Sequence, residues 1–338
     1  MKEPLVSICC IAYNHGRYIR DAINGFLMQK AGFPMEIIIH DDASADDTAG
    51  IIREYAGKCP DLITPILQDK NRYSLGRRSW LTCLLARARG KYIALCEGDD
   101  YWTDPDKLQK QVDFMEANPD YILCFTNYNE VDESGKIIKE NAFAARGKEV
   151  YTHRDMPIYA HALTRLFRNE HLDTLPESFG KAPGSDLYLL VWQSKFGKIR
   201  YQDYNSGAYR VTDRGFWSGK DDFEKQYMSY KTRYVILDIL EKEMKVKFTR
   251  LLIGILTDMK KKVRRGRDIL LCKSLYRGLI NRCGRERRSG QIGISGYIGL
   301  RVSLPVYYYL QGPWRIFLKH LRKNKVTGKM LRLKNKLV

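Results

Sequence analysis

The chain has 338 residues, with 58 Lys and Arg against 39 Asp and Glu (formal net charge +19), 44% hydrophobic and 12% aromatic. Those values exclude a disordered or collagen-like chain and leave room for one large core plus an appendage. The charge is uneven: from Lys245 onward 25 Lys and Arg face three acids, net +22, so the basicity belongs to the C-terminal quarter. No run of about 18 uncharged apolar residues occurs, which argues against a spanning helix. The eight cysteines include no C-x-x-C pair and several lie in apolar runs, a usage that fits buried thiols in a reducing cytoplasm better than a zinc site.

An apolar run, LVSICCIA over 5–12, opens the chain as a buried strand, with no signal-peptide pattern before it. A helix is expected over 18–29, a strand over 35–40 (MEIIIH), a helix over 47–58 and a strand over 64–68. A helix at about 80–89, a strand over 92–96 (YIALC), a helix over 105–117 and a strand over 121–127 (YILCFTN) complete the series. For the helix at 105, Asp104 fits the N-cap, Pro105 the first turn, and Asn118-Pro119 the stop. Strand–helix alternation with doubly buried strands predicts an α/β fold with a mostly parallel sheet. Ligands of such sheets collect at the C-terminal strand ends. Over 128–211 the pattern is mixed, with a turn expected at Glu133-Ser134-Gly135; beyond Asp221 it turns helical and then basic.

Three polar clusters follow three of these strands: Ala12-Tyr13-Asn14, the stretch HDDASADDT over 40–48, and Glu97-Gly98-Asp99-Asp100. Adjacent carboxylates repel and are costly to desolvate, so a pair that ends a buried strand calls for a cation or strong donors. Mg²⁺ or Mn²⁺ suits it, since such ions take a few protein oxygens and complete their shell with phosphates and water. A solvated turn is the bland alternative for the Asp pair; an ordinary strand-end aromatic is that for Tyr13, and a capping residue in an Asp–Ser turn that for Asp41 or Asp42.

Taken in order, VSICCIAYNHGRYIRDAINGFLMQ, EIIIHDDASADDT and ARGKYIALCEGDDYW resemble the nucleotide-sugar half of a family-2 glycosyltransferase of GT-A fold. The match is strong over 5–127 and weaker to about 217. The resemblance implies that Ala12 and Tyr13 line the donor pocket, Tyr13 stacking on uracil, and that Asp42 accepts the base N3–H. Asp99 would lie near the ribose, donor sugar and cation, and Asp100 would hold a divalent cation (Mn²⁺ or Mg²⁺) on the diphosphate. Asp186, which precedes the apolar run 187–192, matches the catalytic base of an inverting transfer, although many relatives carry Glu-Asp where this chain has Ser185-Asp186; a helix cap is its alternative. His161, in the strand that resembles the acceptor floor, would meet the acceptor or serve as a structural histidine. Arg210, Arg214 and Trp217 resemble the closing segment over the diphosphate and sugar, and Arg77 and Arg78 are weaker candidates for the diphosphate.

The implied organisation is a catalytic domain over 1–220, with a donor half over 1–127 and an acceptor half over 128–220, then a basic helical extension over 221–338. In the extension Trp314, Phe317, Leu318 and Leu321 fall on one face and Arg315, Lys319, Arg322 and Lys323 on the other, the pattern of an interfacial helix. The expected partners are a nucleotide-diphosphate sugar, a glycan or lipid-linked acceptor, and the inner face of the cytoplasmic membrane, with no nucleic acid. A core-packing helix with a solvated basic face and nucleic-acid binding are the alternatives for the extension. A sugar nucleotidyltransferase is the rival enzyme, but it needs a Gly-rich phosphate loop where AYNHGRY offers only Gly16; a catalytically idle membrane or nucleic-acid binding protein is the non-enzyme rival.

Overall fold

A computed structural model describes residues 3–73, 84–145, 147–213, 215, 217, 219–262 and 266–289. Arg77, Arg78, Arg214 and the amphipathic stretch over 314–323 lie outside them. The chain divides into two compact units, Met1–Ile239 and Leu240–Val338.

In the first unit, β1 (Val6–Ala12), β2 (Met35–Asp41), β3 (Ile63–Leu67) and β4 (Tyr92–Glu97) pair in parallel in the order β3-β2-β1-β4. Their apolar runs are continuous because both faces are covered; Val6, Ile8, Ile37, Ile39, Tyr92 and Ala94 have no exposed surface. Helices α1 (Ile19–Leu27) and α2 (Thr48–Lys58) follow β1 and β2. Ile19, Ala22, Ile23 and Phe26 recur at helical spacing and bury one face of α1. Phe26 meets Trp102 edge to face at 4.9 Å.

A short strand β5 (Tyr101–Trp102), helix α3 (Lys107–Ala117), β6 (Tyr121–Val131), β7 (Ile137–Lys139) and β8 (Val150–Tyr151) come next. They are followed by β9 (Leu166–Arg168), α4 (Ser185–Gln193), β10 (Lys198–Arg210) and α5 (Asp222–Ile236). β9 inserts antiparallel between β4 and β6, and β10 lies parallel to β6, so among the described residues the path reads β3-β2-β1-β4-β9-β6-β10-β5. Of the helix expected over 80–89, the residues from Leu84 onward are described. The N-cap of α3 is Asp106 rather than Asp104. The Asp104 carboxylate instead accepts the Asp106 N–H at 3.0 Å and pairs with Lys110 at 2.8 Å, so the first of two nearby acids is drawn into the turn before the helix.

In the second unit, α6 (Lys242–Lys261) and α7 (Gly266–Arg288) pack against each other. Met244, Phe248, Leu252 and Leu256 recur every four residues and are buried. No described helix is long and apolar enough to cross a membrane.

Candidate functional site

Register decides where the polar clusters meet. Ala12 lies opposite Asp41, Ile11 opposite Glu97, and Asp41 opposite Leu67. The parallel strands therefore end in one row, and the loops after β1, β2 and β4 leave from the same edge of the sheet. The first two loops are tied together. Asn14 N–H donates to Ser44 Oγ at 2.8 Å, Ala45 N–H to Asn14 Oδ1 at 2.8 Å, His15 N–H to Thr48 Oγ1 at 2.8 Å, and Gly16 N–H to Asp46 Oδ2 at 2.9 Å. Each loop turns on one left-handed residue, Asn14 (φ 55°) and Ala43 (φ 60°). For Ala that conformation costs on the order of 1–2 kcal/mol, offset by the bonds it permits.

Ala12 is fully buried and its carbonyl accepts the Asp42 N–H at 3.0 Å. Tyr13 stands beside it with 45% of its surface open. The two acids after β2 divide their work. Asp41 takes the Ser44 N–H and hydroxyl and closes the turn, whereas Asp42, 4% exposed, accepts the N–H groups of Arg72 and Tyr73 at 2.8 and 3.1 Å. Asp42 thus fastens the loop after β3 to the base of the site.

Glu97, Asp99 and Asp100 each offer an oxygen, and the three atoms lie within 4.8 Å of one another. Asp100 is 1% exposed. Burial, then the charges of Asp99 and Glu97, hold its carboxyl well above the usual range, against the pull of the Arg210 N–H at 2.9 Å on Oδ1. Glu97 is solvent-exposed by area, yet protein crowds its carboxyl; that desolvation, then the charges of Asp99 and Asp186, pushes it up to about 8. Asp99 Oδ1 and Asp100 Oδ2 are buried with no partner. Buried carboxylate oxygens left unsatisfied are costly, and a hard cation would satisfy both; the donor set fits Mg²⁺ or Mn²⁺. Glu97 was legible as part of the acidic stretch, but its closeness to Asp99 and Asp100 was not, because that depends on how the turn folds back.

His15 Nε2 lies 3.6 Å from Asp99 Oδ2. Asp186 sits in the first turn of α4 with its side chain 50% exposed. Arg165, 2% exposed, donates from Nη1 to the Asp186 carbonyl at 2.9 Å and places Nη2 3.9 Å from Oδ2. The His161 ring lies against Tyr209, Tyr128 and Tyr159 at 4.5, 5.0 and 6.1 Å. Burial, then the Arg165 charge, lowers its pKa to about 3, so it is neutral. Trp217 is 42% exposed. Arg210 does not face outward as a lid residue would: its side chain is 3% exposed, and Nε, Nη1 and Nη2 donate to the Asp99 carbonyl, the Glu133 carbonyl and the Asp21 carboxylate.

A glycosyl transferase family 2 model matches residues 7–175, half of the chain. The uncharacterized protein Rv1520 of Mycobacterium tuberculosis is 38% identical over 218 residues, 63% of this chain and 60% of its own, so the chain spans less than two thirds of that relative's length. The Escherichia coli UDP-Glc:alpha-D-GlcNAc-diphosphoundecaprenol beta-1,3-glucosyltransferase WfaP is 38% identical over 128 residues, 38% of this chain and 48% of its own. Among solved structures, Staphylococcus aureus TarS 1-349 in complex with UDP-GlcNAc superimposes with a TM-score of 0.56 at 17% identity, covering 88% of this chain and 90% of that one. That last likeness bears on the fold, which is of the GT-A type the sequence implied. With a mostly parallel sheet whose strand ends gather the acids, and a family model that begins at β1 and runs past β9, the chain belongs to glycosyl transferase family 2.

Proposed function

We propose that the protein transfers a sugar, with inversion, from a UDP-linked donor to a hydroxyl of a cell-surface glycan or lipid-linked acceptor, with a divalent cation bound at Asp99 and Asp100. The observation that carries this reading is the pair of buried, unpartnered oxygens Asp99 Oδ1 and Asp100 Oδ2 at the end of β4. A pair left unsatisfied in a folded protein calls for an explanation, and a bound cation supplies one. Bound there, the cation supplies charge stabilisation to the departing diphosphate.

The remaining work belongs to the chain. Tyr13, exposed beside the end of β1, offers a ring face to the base. Asp42 has two oxygens, each with a lone pair beyond the Arg72 and Tyr73 N–H groups, and an acceptor there selects uracil by its one N3–H. Trp217 is open to cover the donor sugar from the segment after β10. Asp186 takes the acceptor proton: it stands in the first turn of α4, and half of its side chain is open to an incoming hydroxyl. UDP as the donor nucleotide gains support from the named activity of WfaP and the ligand of TarS; a lipid-linked acceptor, from WfaP alone.

Peripheral attachment to the inner face of the cytoplasmic membrane, driven by the +22 segment, belongs to the same proposal. Each base near an anionic leaflet contributes on the order of 1 kcal/mol. The domain division proposed with it is a catalytic part over 1–220 and a basic extension over 221–338.

The test is a thermal-shift panel of nucleotide sugars with and without Mn²⁺. A UDP-sugar should raise the Tm, more so with Mn²⁺, and Asp100→Asn should abolish the Mn²⁺-dependent part. An equal response to UDP-sugars with chelator present would overturn the cation role.

A further inference from the structure

Arg210, the last residue of β10, is a buried positive charge in contact with the acid turn, and its bonds follow a pattern. Its main-chain N–H donates to Asp100 Oδ1 at 2.9 Å. Nε donates to the Asp99 carbonyl at 3.0 Å, Nη1 to the Glu133 carbonyl at 3.1 Å, and Nη2 to Asp21 Oδ2 at 2.8 Å. The guanidinium carbon lies 4.6 Å from the centre of the Tyr18 ring and 5.1 Å from that of Tyr101. Every contact with the Asp99–Asp100 turn is therefore made without a guanidinium N–H on a turn carboxylate. The charge itself is paired with Asp21 on α1, and this leaves Asp99 Oδ1 and Asp100 Oδ2 unspent. A guanidinium turned onto the turn would form bidentate pairs with its carboxylates and compete with a cation for them. Asp21, 53% exposed on its side chain, draws the charge the other way.

We propose that Arg210 and Asp21 form a positioning pair: the Arg210 main-chain N–H fixes the rotamer of Asp100 and its Nε the path of the turn, while Asp21 holds the guanidinium away from the carboxylates so that they stay open to a divalent cation. This rests on the cation reading of the acid cluster. Neither residue touches the cation; both act through Asp99 and Asp100. The bonds join four segments (α1, the turn after β4, the turn between β6 and β7, and the end of β10), so the aim of the carboxylates depends on residues 189 positions apart.

The test uses the full-length protein, Mn²⁺ alone, and its EPR signal as the measure of free ion, without nucleotide. Outer-sphere partners of metal ligands typically contribute about 10- to 100-fold in affinity. Arg210→Met keeps the main-chain N–H on Asp100 but loses the Nε bond to the Asp99 carbonyl, so it should weaken Mn²⁺ binding by about that factor, and Arg210→Lys should restore part of it. Should Arg210→Met fail to fold, Asp21→Asn carries the test, since a half-exposed isosteric change leaves the packing alone. It should stay folded, with a metal-free Tm lowered only modestly, and still weaken Mn²⁺ binding, because the released guanidinium then falls back on the acids. Wild-type Mn²⁺ affinity in Asp21→Asn would overturn the pairing, as would a lowered metal-free Tm in Arg210→Met with affinity unchanged, which makes Arg210 a structural residue only. A wild-type protein that binds no Mn²⁺ overturns the cation reading itself, a failure distinct from that of the pair.

Discussion

Asp186→Asn separates chemistry from stability because the structure bounds both. The side chain is half exposed and its distance to Arg165 Nη2 is 3.9 Å, so the ion pair contributes less than about 1 kcal/mol after solvent screening. Its place in the first turn of α4 adds about 0.3–1 kcal/mol from the helix dipole. The amide keeps the shape and the Arg165 bond to the main-chain carbonyl. At most about 2 kcal/mol of stability is lost, against the roughly 5–15 kcal/mol of an ordinary domain, so the variant stays folded. Removal of a general base costs about 10²- to 10⁴-fold in rate, or about 2.7–5.5 kcal/mol in barrier. Nothing in the stability change reaches that size. The assay is UDP release from the donor found in the thermal-shift panel, with water as acceptor, alongside UDP titration by calorimetry. The expected outcome is UDP affinity within about twofold of wild type and release slowed at least about a hundredfold. Release within about threefold of wild type, or UDP affinity lost in parallel with rate, would refute the assignment.

Two glycines should respond oppositely to the same change. A Cβ on Gly25 in α1 would lie 2.9 Å from Trp102 N and 3.1 Å from its carbonyl oxygen, both backbone, so Gly25→Ala should lower stability by about 1–3 kcal/mol in chemical denaturation. Gly57 in α2 meets nothing within 4 Å, and Gly57→Ala should raise stability by about 0.5–1 kcal/mol; the same sign at both positions would contradict the packing. His161 has a folded pKa of about 3 against an unfolded value near 6.5. The unfolded chain alone gains that proton as pH falls, so stability should drop from about pH 6.5 downward by up to about 1.4 kcal/mol per pH unit. His161→Gln should remove that share of the slope, and identical slopes for the two proteins would count against a buried neutral ring. For the basic segment, binding to anionic vesicles should weaken with salt, and Trp314→Ala with Phe317→Ala should weaken it further at fixed salt. Binding that ignores those two residues and follows duplex DNA with a steep salt slope would favour nucleic acid instead.

The strands with two covered faces were legible because their apolar runs are uninterrupted: β1, β2, β3 and β4 fall within a residue or two of expectation. β9 was not legible as a sheet insertion. It has three residues, and its place is fixed by pairing with Tyr92–Ala94 on one side and Leu123–Cys124 on the other, contacts no local pattern encodes. The acids at the strand ends could be read from their position, since doubled carboxylates after a buried run have few uses. Which of Asp41 and Asp42 closes the turn could not, because adjacent identical side chains differ only in what the next loop presents to them. The partners of Arg210 were hidden for a related reason: Asp21 precedes it by 189 residues and reads locally as an ordinary acid in the first turn of a helix.

The lacing between the loops after β1 and β2 has a consequence for how such enzymes can be recombined. Four bonds cross from residues 14–16 to residues 44–48, and in each one partner is a side chain on one loop and the other a main-chain N–H on its neighbour. The two segments are separate in sequence but form one inheritable part. A chimera that imports only the first loop from a distant relative meets Ser44, Asp46 and Thr48 with the wrong backbone path, and it strands three polar side chains at the end of the sheet where the acids gather. A chimera that imports both at once carries its own lacing and needs no repair elsewhere in the sheet. Grafts meant to change nucleotide preference should therefore move the two loops as a pair, and natural variation at 14–16 should track variation at 44–48.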